Sequence, residues 1–122
     1  MRSFPVTVLF LFAALHVFAG DPNAMWQKAN KYYQQKQYDS AAVYYEQIVA
    51  LKPGNAVIYF NLGNTYYRLN KIGPAVLNYE RALKIDPDYK EAQDNLALTQ
   101  GRISNQVHPH NDIFFVRWWE SM

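Results

Sequence analysis

No cysteine occurs in the 122 residues. That excludes disulfides as a source of stability, thiolates as nucleophiles or zinc ligands, and a lipid-bearing Cys as an anchor. Histidine is scarce, with three in all. His16 falls in an apolar leader. His108-Pro109-His110, followed by Asp112, falls in a linker, where two imidazoles make a poor metal site. Serine is also sparse, and Ser40 and Ser104 stand where helix caps or helix ends fit. A nucleophile–base pair needs Ser or Cys beside His, so the chain is expected to carry no catalytic site, cofactor or metal. Neither sign of charge dominates. The formal net charge is +2, and no basic patch interleaves with aromatics, which argues against a nucleic-acid partner. No apolar run reaches the ~20 residues of a spanning helix.

What the chain has in quantity is tyrosine, ten residues of it, and a period. The stretch Tyr59 to Pro87 reads as two short amphipathic helices joined by a turn over Asn70 to Gly73. Tyr59, Leu62, Gly63 and Tyr66 form one helical stripe, and Ala75, Tyr79, Ala82 and Leu83 form another. Pro74 suits the first turn of the second helix, and Asp86-Pro87 ends it. Shifted back by 34 positions, Tyr66-Tyr67 falls on Tyr32-Tyr33 and Asn64 on Asn30. Ala75 then falls on Ala41, Tyr79-Glu80 on Tyr45-Glu46 and Pro87 on Pro53. Shifted forward, Asn61-Leu62 falls on Asn95-Leu96, with Gly63 on Ala97. A fixed period with small, aromatic and proline positions in phase is the mark of a helical repeat array.

Over Pro22 to about Ser104 the chain resembles tetratricopeptide repeat (TPR) proteins. The expected fold class is therefore all-α: two helix-turn-helix repeats, 22–55 and 56–89, plus a capping helix or partial third repeat, 90–104. Asp21 with Pro22 is expected to start the first helix, and Asp39 or Ser40 to cap the second. Lys52-Pro53-Gly54-Asn55 is a breaker cluster between repeats. Gly63 is expected to lie near Ala75, where two helices meet closely.

The two ends differ from the middle. Arg2, the apolar run Val6 to Leu15 and the small residues around Ala19 make residues 1–19 a signal peptide, so the protein is expected to be exported. Residues 105–111 form a linker. Ile113, Phe114, Phe115, Val116, Trp118 and Trp119, broken only by Arg117, have the composition of a membrane interface. Phe114, Phe115, Trp118 and Trp119 are the expected membrane contacts of the segment 112–122. This domain order, with the run Ile113 to Trp119, resembles the TPR subunits of the Bat aerotolerance operon. That resemblance implies a periplasmic, membrane-attached partner of proteins with von Willebrand A-type domains. A membrane-anchored spacer, with the aromatic tail as its working contact, is the alternative reading.

In TPR arrays the first helix of each pair lines a concave groove. The resemblance implies a groove for an extended or helical segment of a protein partner, formed by Trp26, Asn30, Tyr33 and Gln34, then Phe60, Asn61, Asn64, Tyr67 and Arg68, then Glu91, Asp94, Asn95 and Leu98. Asn30 and Asn64 are expected to point away from the helix-pair core. Chaperone-binding TPR domains hold two carboxylates with Lys, Asn and Arg. At those positions this chain has Trp26 and Asn30, then Asn61, then Glu91 and Asn95. The amides on the earlier helices match, but the cations are missing, so that recognition is not carried over.

Overall fold

The structure is a computed structural model, and it describes residues 20–106. Five helices follow one another with no strand among the described residues: α1 (Pro22–Gln34), α2 (Tyr38–Leu51), α3 (Ala56–Arg68), α4 (Ile72–Ile85) and α5 (Lys90–Gln106). Each helix packs on its neighbours in sequence, and α3 also touches α5. This is the all-α repeat array expected, with two antiparallel pairs and a terminal helix.

The helix starts follow local chemistry. The Asp21 side chain accepts the Asn23 N–H at 3.0 Å, and Pro22 occupies the first helical position,. The Asn55 side chain caps α3 by accepting the Val57 N–H at 2.9 Å. The second helix of each pair is different. Its start at Tyr38 or Ile72 follows Gln37 or Lys71, neither of which makes a side-chain cap. Neither Asp39 nor Ser40 is the cap, because the chain is already helical at Tyr38. For the same reason Gly73 lies inside α4 rather than in the turn.

What begins these helices is the end of the preceding one. Lys36 and Asn70, 34 positions apart, both have positive φ, at 60° and 59°. The Gln37 N–H donates to the Tyr32 carbonyl at 2.9 Å and the Lys36 N–H to Tyr33 at 3.0 Å. Lys71 to Tyr66 and Asn70 to Tyr67 repeat the pattern at the same distances. Two left-handed closures of the same kind reverse the chain within each pair.

The core runs between the helices as two clusters. The first joins Ala29, Ala41, Ala42, Tyr45, Ile48, Ile58 and Leu62. The second joins Tyr59, Ala82 and Ala92. Small residues set the close approaches. Gly63 is buried, and a Cβ there would lie 2.6 Å from the Tyr79 ring. The atoms nearest to that Cβ all belong to the Tyr79 ring on α4. Ala29 holds the equivalent place one repeat earlier, fully buried in the cluster that contains Tyr45. Thr65 and Thr99, also one repeat apart, are buried, and each hydroxyl donates to the carbonyl four residues back. Burial without a partner would be costly, so the intrahelical bond is what admits a hydroxyl there.

α5 runs to Gln106, past the end expected at Ser104. It buries Ala92 and Thr99 and leaves Leu98 and Ile103 exposed. Both apolar side chains therefore lie outside the packed face.

Candidate functional site

Two adjoining cavities lie along the first helices of the repeats. The larger, about 410 Å³, is lined by Tyr33, Asn64, Tyr67, Arg68, Tyr79, Asn95, Leu98 and Thr99. The smaller, about 170 Å³, is lined by Asn30, Tyr33, Gln34, Tyr45, Asn61 and Asn64. They share Tyr33 and Asn64. Shifted by 34 positions, the smaller lining becomes part of the larger one. Asn30 maps to Asn64, Tyr33 to Tyr67, Gln34 to Arg68, Tyr45 to Tyr79, Asn61 to Asn95 and Asn64 to Leu98. The groove is thus two cells of one design, the second with a cation and a leucine where the first has amides.

Each cell has an amide–phenol pair at its floor. Tyr45 Oη donates to Asn30 Oδ1 at 2.5 Å, and Tyr79 Oη donates to Asn64 Oδ1 at 2.6 Å. Asn95 Nδ2 also donates to Asn64 Oδ1, at 2.8 Å, and ties α5 to α3. Asn30 and Asn64 therefore reach back toward the second helix of their pair. The expectation that they point away from the core is corrected, because the buried tyrosine hydroxyls need an acceptor. Burial pushes the Tyr45 phenol up to about 12, with Tyr33 nearby adding to it. Burial likewise pushes the Tyr79 phenol far up, against a lowering hydrogen bond from Asn95. Both hydroxyls stay protonated donors across the physiological range.

Of the residues expected to form the groove, Asn30, Tyr33, Gln34, Asn61, Asn64, Tyr67, Arg68, Asn95 and Leu98 line these two cells. Trp26, Phe60, Glu91 and Asp94 do not. Trp26 stands edge-on to Tyr45 at 5.8 Å and borders a separate cavity with Pro22, Ile48 and Ile58. Phe60 packs between Tyr79 and Tyr89, with ring centroids 6.1 and 4.9 Å away. Asp94 is exposed and paired with Lys90 on its own helix. Their helical positions place them one turn before the lining residues, where the rings meet the second helix of the pair. Tyr45, Tyr79 and Thr99 were not anticipated as lining. Their signal was present as the fixed 15-residue separation of Asn30 from Tyr45 and of Asn64 from Tyr79, and as the alignment of Thr99 with Thr65.

Cations gather around the second cell. The phenols of Tyr33, Tyr38 and Tyr67 surround the Arg68 guanidinium and hold its pKa above the usual value, Tyr33 foremost. The Arg102 guanidinium lies 4.9 Å from the centre of the Tyr67 ring and donates to Asn70 Oδ1 at 2.9 Å,. The described residues include no cluster of His, Cys, Asp and Glu able to hold a metal ion.

Comparison with known proteins agrees with this architecture. The tetratricopeptide repeat family matches residues 56–89, and a second TPR repeat family matches residues 29–70. The array is built of tetratricopeptide repeats. Among curated proteins, mouse serine/threonine-protein phosphatase 5 is 35% identical over 80 residues, which is 62% of this chain but 16% of the phosphatase. The chain therefore spans only a small part of that relative. Among solved structures, the Arabidopsis OM64 TPR domain matches with a TM-score of 0.66 at 23% identity, over 69% of each chain. The first TPR of Spaghetti (RPAP3), solved bound to the HSP90 peptide SRMEEVD, matches with a TM-score of 0.65 at 25% identity, over 69% of this chain and 68% of that one. The TPR array here has the architecture of a protein-interaction module.

Proposed function

We propose that this protein is an exported interaction module whose TPR groove binds an extended segment of a protein partner. The observation that carries the reading is the pair of adjoining cells lined by equivalent residues. A lining repeated at the array's own period suits a ligand that is itself a chain of repeating units. Half-exposed amides such as Asn61 and Asn95 can both donate to and accept from a peptide backbone. Rigid phenols such as Tyr33 and Tyr67 supply contact area at small entropic cost. The peptide held by the Spaghetti TPR supports the same reading.

A photo-crosslinking residue placed at Tyr67 in the full chain tests this in the source cell envelope, with one at the exposed Val43 of α2 as control. Crosslinks from Tyr67 should map to a short contiguous segment of a partner. Crosslinks from Val43 alone would move the contact to another face of the array.

The location and the partner class rest on the ends of the chain, which lie outside the described residues. The reading of residues 1–19 as a signal peptide and of Phe114, Phe115, Trp118 and Trp119 as membrane contacts places the module at a periplasmic membrane face. The resemblance to the Bat TPR subunits adds proteins with von Willebrand A-type domains as the partner class. No helix of the described residues is long and apolar enough to cross a membrane. Intact mass of protein recovered from a bacterial envelope should show a mature start at Gly20. Tryptophan emission of the full chain should shift to the blue with lipid vesicles. A version ending at Asn105, which keeps only Trp26, should not shift.

A further inference from the structure

The two cells of the groove differ chiefly in charge. Asn30 and Asn64, Tyr33 and Tyr67, Tyr45 and Tyr79, and Asn61 and Asn95 keep the same chemistry from cell to cell. Gln34 becomes Arg68. No Asp or Glu lines either cell. The single ion pair among the described residues is Lys90 with Asp94, so no carboxylate there lies within ion-pair range of Arg68. Arg102 brings a second guanidinium over the Tyr67 ring, and its hydrogen-bond partner is the neutral amide of Asn70. The Tyr33 and Tyr67 phenols that share the cavity with Arg68 are neutral at physiological pH and do not satisfy its charge. None of these positions is one at which the carboxylate-holding TPR domains place their cations.

Resting on the groove reading above, we propose that the cell around Arg68 selects an acidic side chain of the bound segment, while the cell around Gln34 takes a neutral one. The planar guanidinium can meet a carboxylate with two parallel N–H bonds, and charge-assisted bonds of that kind are the strong ones. Arg102, over the Tyr67 ring, adds to the positive potential. Exposed Leu98 supplies apolar contact for the stem of the acidic residue. Because only one cell is charged, the acidic residue also fixes the direction in which the segment lies along the array.

The test uses the full chain and a positional-scanning library of short synthetic peptides, each pool fixed at one position as Asp, Glu, Asn or Gln. At one position the Asp and Glu pools should bind about tenfold more tightly than the amide pools. The preference should vanish in Arg68→Gln, weaken in Arg68→Lys and fade with added salt in the parent. Gln34→Arg should create a second acid-preferring position, displaced from the first. Far-UV circular dichroism identical to the parent shows that each variant is folded. Binding with no acidic preference, or a preference that survives Arg68→Gln, overturns this inference and leaves the groove reading standing. Binding unaffected by both Arg68→Gln and Tyr67→Ala overturns the groove reading, and this inference with it. Failure of every pool to bind overturns both.

Discussion

Two asparagine acceptors at equivalent places in the repeats have different partners, and that difference is measurable. Asn30 Oδ1 accepts from Tyr45 alone among side chains, whereas Asn64 Oδ1 accepts from both Tyr79 and Asn95. Tyr45→Phe leaves the Asn30 acceptor without its partner and should cost about 1 kcal/mol. Tyr79→Phe leaves Asn64 still bonded and should cost less. Thermal melts of the two variants should rank in that order. Replacing Asn30 and Asn64 by Ala orphans the buried phenols, so those substitutions would confuse a binding measurement with a loss of stability. Two glycines make a similar contrast. A Cβ at Gly63 would press on the ring of Tyr79 at 2.6 and 2.7 Å, while a Cβ at Gly73 meets nothing within 4 Å. Gly63→Ala should lower stability by ~1–3 kcal/mol through overpacking. Gly73→Ala, at a helical and exposed position, should raise it by about 0.5–1 kcal/mol. Both are read from urea denaturation midpoints.

At the scale of the helix the decisive feature is the turn inside each pair. Lys36 and Asn70 take the left-handed conformation, which is unfavourable for a side chain with a Cβ and least so for Asn. Lys36→Gly should remove that strain, less the entropy of a glycine in the unfolded chain. The net gain should be about 0.5–1 kcal/mol, seen as a higher melting temperature. Asn70→Gly should gain less, because Asn tolerates this conformation and its side chain accepts from Arg102. The gaps between α1 and α2 and between α3 and α4 were legible from the period. Their start residues were not. Asp39 and Ser40 are good caps by composition, yet the left-handed closure at Lys36 had already turned the chain into a helix before either could act. That a further helix follows Pro87 was readable from the alignment of Asn95-Leu96 with Asn61-Leu62. Ala97 sits at the position of Gly63 and Ala29 but is exposed, because no second helix packs on it among the described residues.

For the molecule as a whole, stability in alkali follows from tyrosines that the fold holds protonated. The Tyr45 and Tyr66 phenols are pushed up to about 12 from the ordinary 10.0, each chiefly by burial, with the hydrogen bond to Glu46 and its charge adding at Tyr66. The folded state therefore keeps these protons at pH values where the unfolded chain releases them. Their contribution is fully present below pH 10 and is lost as pH rises through about 12,. Circular dichroism should show unfolding in that window, with tyrosinate absorbance rising together with it. Tyr45→Phe should shift the unfolding to higher pH relative to its own neutral-pH stability.

The amino-acid sequence by itself determined the repeat, because a 34-residue phase of small and aromatic residues has few physical solutions other than stacked helix pairs. The resemblance carried by that repeat further implied that Tyr33, Asn61, Tyr67, Arg68 and Asn95 would line a groove, and in the structure they border the two cells. Only the tertiary structure decided which side chains the groove keeps. Asn30 and Asn64 are spent partly on Tyr45 and Tyr79, and Trp26 and Phe60 are drawn into aromatic contacts one turn away. A helical period gives the direction of a side chain to within a turn. Whether a ring lines a groove or fills the space behind it depends on what the neighbouring helix leaves open, and that is a property of the packed pair.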